Sequence, residues 1–81
     1  MMQVTALLFA SYAEHLGRDA VSLELPDGAT VDDVLRHLAA LPGGDRLPPE
    51  PLVAVNLEYA ARGHALAPGD EVAVIPPIAG G

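Results

Sequence analysis

Only one stretch of this 81-residue chain carries a sustained helical period. Val31, Val34, Leu35, Leu38 and Leu41 recur at three-to-four spacing, which gathers them into a single apolar stripe along a helix. Thr30 stands where an N-cap belongs, and Asp32 and Asp33 fall in the first turn, where the helix dipole favours anions. Pro42-Gly43-Gly44 stops the helix after roughly three turns. Arg36 and His37 lie off the stripe. A helix with one stripe covers one apolar surface, and the runs around it have the length and pattern of strands.

Val4–Ala10 is apolar and partly β-branched, with Val4, Ala6 and Leu8 on one face and Leu7 and Phe9 on the other. Apolar residues on both faces mark a central strand. Tyr12–Leu16 reads as a helical turn stopped by Gly17, a good left-handed cap. Val21–Leu25 alternates cleanly, Ser22 and Glu24 outward, and its short connection predicts antiparallel pairing with the first strand. Pro26-Asp27-Gly28 is a turn. Gly43–Pro51 is a proline-rich loop. Leu52–Asn56 is a further strand closed by a turn at Asn56, and Tyr59-Ala60 a very short one, followed by a turn at Arg62-Gly63-His64. Leu66 is a lone apolar residue expected to plug the core. Pro68-Gly69-Asp70 leads into a last strand, Glu71–Ile75, in which Val72 and Val74 alternate with Ala73 and Ile75.

The order is strand, strand, helix, strand, short strand, strand. A long crossover separates the first strand from the last, which suits parallel pairing side by side. The expected fold is α+β: a mixed four- to five-stranded sheet holding one main helix on one face, the β-grasp or ubiquitin-like arrangement. The last strand then lies in the middle of the sheet.

The residues after that strand are unusual. Pro76 and Pro77 have no N–H to give a ladder, and Ile78-Ala79-Gly80-Gly81 is thin and uncharged. We expect a domain over 1–76 and a flexible tail over 77–81. Fully extended, the tail reaches on the order of 17 Å. The prolines stiffen its base, and the glycines fit where a Cβ clashes.

Composition removes whole classes of chemistry. There is no cysteine, hence no disulfide, thiolate nucleophile or iron–sulfur cluster. All four basic residues are arginines, set singly at 18, 36, 46 and 62, and the net charge is -7. That argues against nucleic acid and for solubility, or for a partner with a basic face. No apolar run approaches a membrane span, and Met1-Met2-Gln3-Val4 lacks the basic start of a signal peptide, so a cytoplasmic location is expected. His15, His37 and His64 do not share a metal-ligand spacing, and no metal is expected. Asp32-Asp33 is better placed for helix capping than for acid–base work. Leu7 and Phe9 are either an exposed patch for a partner or a second core face.

Several stretches together resemble a known family: Leu8-Phe9-Ala10, Leu25-Pro26-Asp27-Gly28-Ala29-Thr30-Val31, Val55-Asn56-Leu57-Glu58-Tyr59, Gly69-Asp70-Glu71-Val72-Ala73 and Pro76-Pro77-Ile78-Ala79-Gly80-Gly81. They resemble the MoaD/ThiS family of ubiquitin-like sulfur carriers over essentially the whole chain. The double proline ahead of the double glycine is more like the MoaD type, the small subunit of molybdopterin synthase. Ser11-Tyr12-Ala13, where the family often has a basic residue, and the short proline-rich segment after the helix depart from the pattern.

The resemblance implies that a MoeB-like enzyme uses ATP to adenylate the Gly81 carboxylate. A persulfide-carrying desulfurase or rhodanese then supplies sulfur, giving a thiocarboxylate. It further implies a MoaE-like large subunit, in a heterotetramer, that binds the cyclic pyranopterin precursor receiving that sulfur in molybdenum cofactor biosynthesis. Pro76, Pro77, Ile78, Ala79 and Gly80 become the partner-binding tail and Gly81 the reacting residue. The carrier brings no catalytic side chain and binds no cofactor of its own. Two alternatives share the tail: a ThiS-like or tRNA-thiolation carrier, and a ubiquitin-like protein modifier.

Overall fold

A computed structural model describes residues 1–44 and 51–76. The strands are β1 (Met2–Leu8), β2 (Ala20–Leu25), β3 (Leu52–Val55), β4 (Glu58–Tyr59) and β5 (Glu71–Ile75), and the helices are α1 (Ser11–Leu16) and α2 (Val31–Ala39). The strands form one mixed sheet in the order β2-β1-β5-β3-β4. β1 runs antiparallel to β2 and parallel to β5, and β3 runs antiparallel to both β4 and β5. The expected β-grasp topology holds, with β5 at the centre.

One face of the sheet makes the core. Met2, Val4, Ala6 and Leu8 of β1 are buried with Val21, Leu23 and Leu25 of β2, Val53 and Val55 of β3, and Val72 and Val74 of β5. The stripe of α2, Val31, Val34, Leu35 and Leu38, belongs to the same cluster, and Leu41 packs partly against it. Leu66 is buried as a plug. Its N–H donates to the Ala29 carbonyl, which holds the long connection against the start of α2.

The ends of α2 follow their sequence signals, with one addition. Asp33 Oδ2 accepts from the Thr30 N–H at 2.8 Å and from its hydroxyl at 3.3 Å, the back-bond of a capping box. Asp32 has a larger role than dipole compensation. It pairs with Arg36 one turn on, at 2.8 Å, and with Arg62 from the distant 60–65 turn, at 2.6 Å. The Arg62 hydrogen bond, with support from Arg36, holds the Asp32 carboxyl below the usual carboxylate range.

β1 is shifted from its expected span. It starts at Met2 and stops at Leu8, because Ala10 adopts φ 50, ψ -125, a conformation that strains any residue with a Cβ. That bend turns the chain into α1, which ends at Gly17 in the expected left-handed conformation. Smaller shifts occur elsewhere. β3 ends at Val55 rather than Asn56, β4 is Glu58–Tyr59 rather than Tyr59-Ala60, and α2 stops at Ala39. Gly43 is fixed by close packing, since a Cβ there would overlap the His15 carbonyl at the end of α1. Tyr12 is fully buried in the core and its hydroxyl has no partner among the described residues. Burial pushes its phenol above the ordinary value. No described helix is long and apolar enough to cross a membrane.

Candidate functional site

The site is built at one end of the central strand. β5 is paired on both sides from Val72 to Val74, with Val74 opposite Leu8 of β1, and Ile75 is paired with Leu52 of β3. Pro76 follows Ile75 and is half-buried. The chain therefore reaches residue 76 directly from a strand held in the middle of the sheet. Pro77, Ile78, Ala79, Gly80 and Gly81 lie outside the described residues, as does the expected domain boundary between 76 and 77.

The second part of the site is the face of the sheet turned away from α2. The register places Ala20, Leu7, Ala73, Ala54 and Tyr59 in one row across all five strands. Ile75 and Leu52 form the next row, beside the base of the tail. Toward the other end the face becomes polar: Ser22, Thr5 and Glu71 share a row, and Gln3 lies beside Glu24. The Gln3 amide donates to the Ser22 hydroxyl at 2.8 Å. An apolar surface thus lies directly against the end of β5 from which the tail continues, with acidic residues at its far side.

Leu7 and Phe9 were the sequence candidates for a partner surface, and they stand differently. Leu7 is half-buried in the middle of the open face. Phe9 does not share the strand face with it, because β1 has already ended. It sits past the end of β1, and its carbonyl accepts from the Tyr12 N–H. Phe9 is 45% exposed. Neither belongs to the buried core, and the two do not form one patch. Among the described residues, Leu52, at 46%, and Tyr59, at 77%, are the large exposed hydrophobic residues of the face that holds Leu7.

A model of the ThiS family matches residues 6–81. The molybdopterin synthase sulfur carrier subunit of Chlamydomonas reinhardtii is 41% identical over 83 aligned residues, covering 99% of this chain and 100% of the relative. The chain belongs to the ThiS/MoaD family. The corresponding subunit of Dictyostelium discoideum is 36% identical, covering 98% of this chain and 96% of its own. Among solved structures, the small archaeal modifier protein 1 of Haloferax volcanii superposes with a TM-score of 0.86 at 32% identity, over 96% of this chain and 100% of that one.

Membership in the ThiS/MoaD family sets the described geometry beside the tail motif. Sequence reasoning found the tail and Leu7, and missed the row that Leu7 belongs to. The signal was present. Ala54 in β3 and Ala73 and Ile75 in β5 put apolar side chains on the second face of their strands, while a single striped helix covers one face only. Among the described residues no cluster of His, Asp and Glu has the arrangement of a metal site. Neither Leu7 nor Phe9 offers a nucleophile, acid or base. The described arrangement offers an apolar surface beside the end of β5.

Proposed function

We propose that this chain is a sulfur carrier, the small subunit of a molybdopterin synthase, and that its reacting group is the Gly81 carboxylate. The observation that carries the reading is the junction at Ile75-Pro76. The central strand ends at Ile75-Pro76 beside an apolar face that the described residues leave uncovered, and the sequence continues from there as Pro77-Ile78-Ala79-Gly80-Gly81. Kinship with chains named as molybdopterin synthase sulfur carrier subunits supports the same assignment.

The chemistry asks little of the carrier's side chains. A carboxylate is a poor electrophile. Attack of its oxygen on the α-phosphorus of ATP forms an acyl-adenylate and releases pyrophosphate, which turns the C-terminal carbonyl carbon into an acceptor with AMP as leaving group. A persulfide sulfur attacks that carbon and AMP departs. A thiol then cleaves the resulting acyl disulfide, and the carrier leaves with a thiocarboxylate. The chain has no cysteine, so all the sulfur comes from the donor. ATP is bound by the adenylating partner. The large synthase subunit holds the pterin precursor and receives the sulfur.

In this reading the open face docks the body and the tail enters the partner's site. Burying the exposed part of Leu52 contributes on the order of 1 kcal/mol, with little ordering cost because β3 is held in the sheet. Gly81→Val should abolish ATP–pyrophosphate exchange by the adenylating enzyme without moving the thermal midpoint. Full exchange activity in that variant would rule out entry of the glycine end into a narrow site.

A second reading is favoured by the likeness to the archaeal modifier protein. There the same adenylate is attacked by a lysine amine of a target protein, giving an isopeptide. The chain has no lysine, so the target is another protein. An isopeptide adduct in place of a thiocarboxylate would select this reading.

A further inference from the structure

The β3–β4 hairpin carries a leucine where the backbone asks for glycine. Asn56 and Leu57 both take positive φ, 49° and 74°. Two consecutive left-handed residues make the tight hairpin turn whose preferred sequence is Asn-Gly. Asn56 fits and is held in place. Its side-chain NH2 donates to Asp70 Oδ1 at 2.9 Å, and its side-chain oxygen accepts from the Glu71 N–H at 3.0 Å. Leu57 has no such compensation. It is 95% exposed, so a branched side chain is kept in a strained conformation with nothing among the described residues to pack on. A residue that breaks a local rule without a local gain points to a role outside the fold.

Beside this tip lies an open groove of about 360 Å³, lined in part by Asn56, Glu58, Tyr59, His64 and Asp70. The two carboxylates differ. Asp70 is engaged by Asn56 and by the Ala67 N–H, whereas Glu58 makes no hydrogen bond or ion pair with the described residues. Glu58 is in register with Val55 and Tyr59 with Ala54 of the open face, so the two side chains leave the edge strand β4 on opposite sides and the groove lies around the sheet edge from the open face. Val55, at the base of the tip, is in register with Val72. The tip is therefore about 10 Å along β5 from Ile75, at the end opposite the tail.

We infer that the hairpin tip is a second anchor for the enzyme that adenylates the C-terminus. That enzyme presents an apolar contact to Leu57 and a lysine or arginine side chain to the groove, against Glu58. This rests on the proposed function. The adenylating enzyme is the partner that both the carrier and the modifier readings require. A basic partner side chain is the complement of a carboxylate that has no partner among the described residues, on a chain of net charge -7. With one anchor at each end of β5, the body cannot pivot while the tail enters.

The test uses the full chain and the adenylating enzyme of the same organism, with ATP–pyrophosphate exchange as the readout. Leu57→Gly should raise the KM for the carrier about tenfold at unchanged kcat, while its thermal midpoint stays level or rises because the strain is relieved. Glu58→Gln should raise KM about threefold and flatten its dependence on salt. Wild-type KM in Leu57→Gly, or a fall in its thermal midpoint, overturns the anchor. An unchanged salt dependence in Glu58→Gln overturns the basic side chain. If the wild-type chain supports no exchange at all, the proposed function fails and the anchor with it.

Discussion

The two faces of the central strand are built from the same backbone and differ in what covers them among the described residues. Toward α2, Val72 and Val74 are completely buried, with Val4, Ala6 and Val53 of the adjoining strands almost as deep. Away from α2, Ala73 and Ile75 are half-buried and adjoin Leu7, Ala54 and Leu52. The inner face spends its apolar surface on folding. The outer face keeps apolar residues that the described residues leave uncovered, at the end of β5 that leads to Pro76. In the proposed function, folding and docking are thereby separated by a single residue step along β5, because successive side chains of a strand point to opposite sides.

That separation is exposed to three substitutions. The largest effect belongs to the inner side: Leu38→Ala, at a fully buried position of α2, should cost about 3 kcal/mol in urea unfolding. A loss below about 1 kcal/mol would mean that α2 is not the cover of the core. Next comes the outer side. Ala73→Glu puts a charge in the middle of the open row. It should change stability by less than about 1 kcal/mol yet raise the KM for the adenylating enzyme at least about tenfold, roughly 1.4 kcal/mol of binding. An equal loss on both measures would erase the distinction between the faces.

The smallest effect concerns the turn that launches β5. The Ala67 N–H and the Asn56 amide hold the Asp70 carboxyl below the usual carboxylate range. A depressed folded-state value means that the unfolded chain takes up its proton first as pH falls. The contribution of Asp70 is therefore present above the ordinary carboxylate pKa and fades as pH drops through the lower, folded value. Asp70→Asn should lower stability slightly at neutral pH and flatten the decline in that acidic window. A decline of unchanged steepness would assign it to other carboxylates.

Much of this was legible in the sequence because the signals were local. The stripe of α2, the alternation of β2 and the turn residues gave the element order, and the long crossover gave the parallel β1–β5 pair. The boundary of β1 was not legible. Nothing in Phe9-Ala10-Ser11 announces that an alanine will take positive φ, since packing of Tyr12 and the start of α1 impose that bend from outside the strand. The Asp32–Arg62 pair joins residues thirty positions apart and has no periodic signature. The open face was half legible. Leu7 was found because it lies beside apolar neighbours in β1, whereas the row through Ala73, Ala54 and Tyr59 exists only once the register is known.

If the Gly81 carboxylate is the reacting group, its conversion is visible by mass. The most direct measurement is the intact mass of the chain co-expressed with its adenylating enzyme and a persulfide donor. We predict one oxygen replaced by sulfur, located in the fragment that ends at Gly81 and abolished by omitting the adenylating enzyme. A chain that emerges unchanged under those conditions, or that carries sulfur at any other position, would contradict a carrier that reacts through its C-terminus.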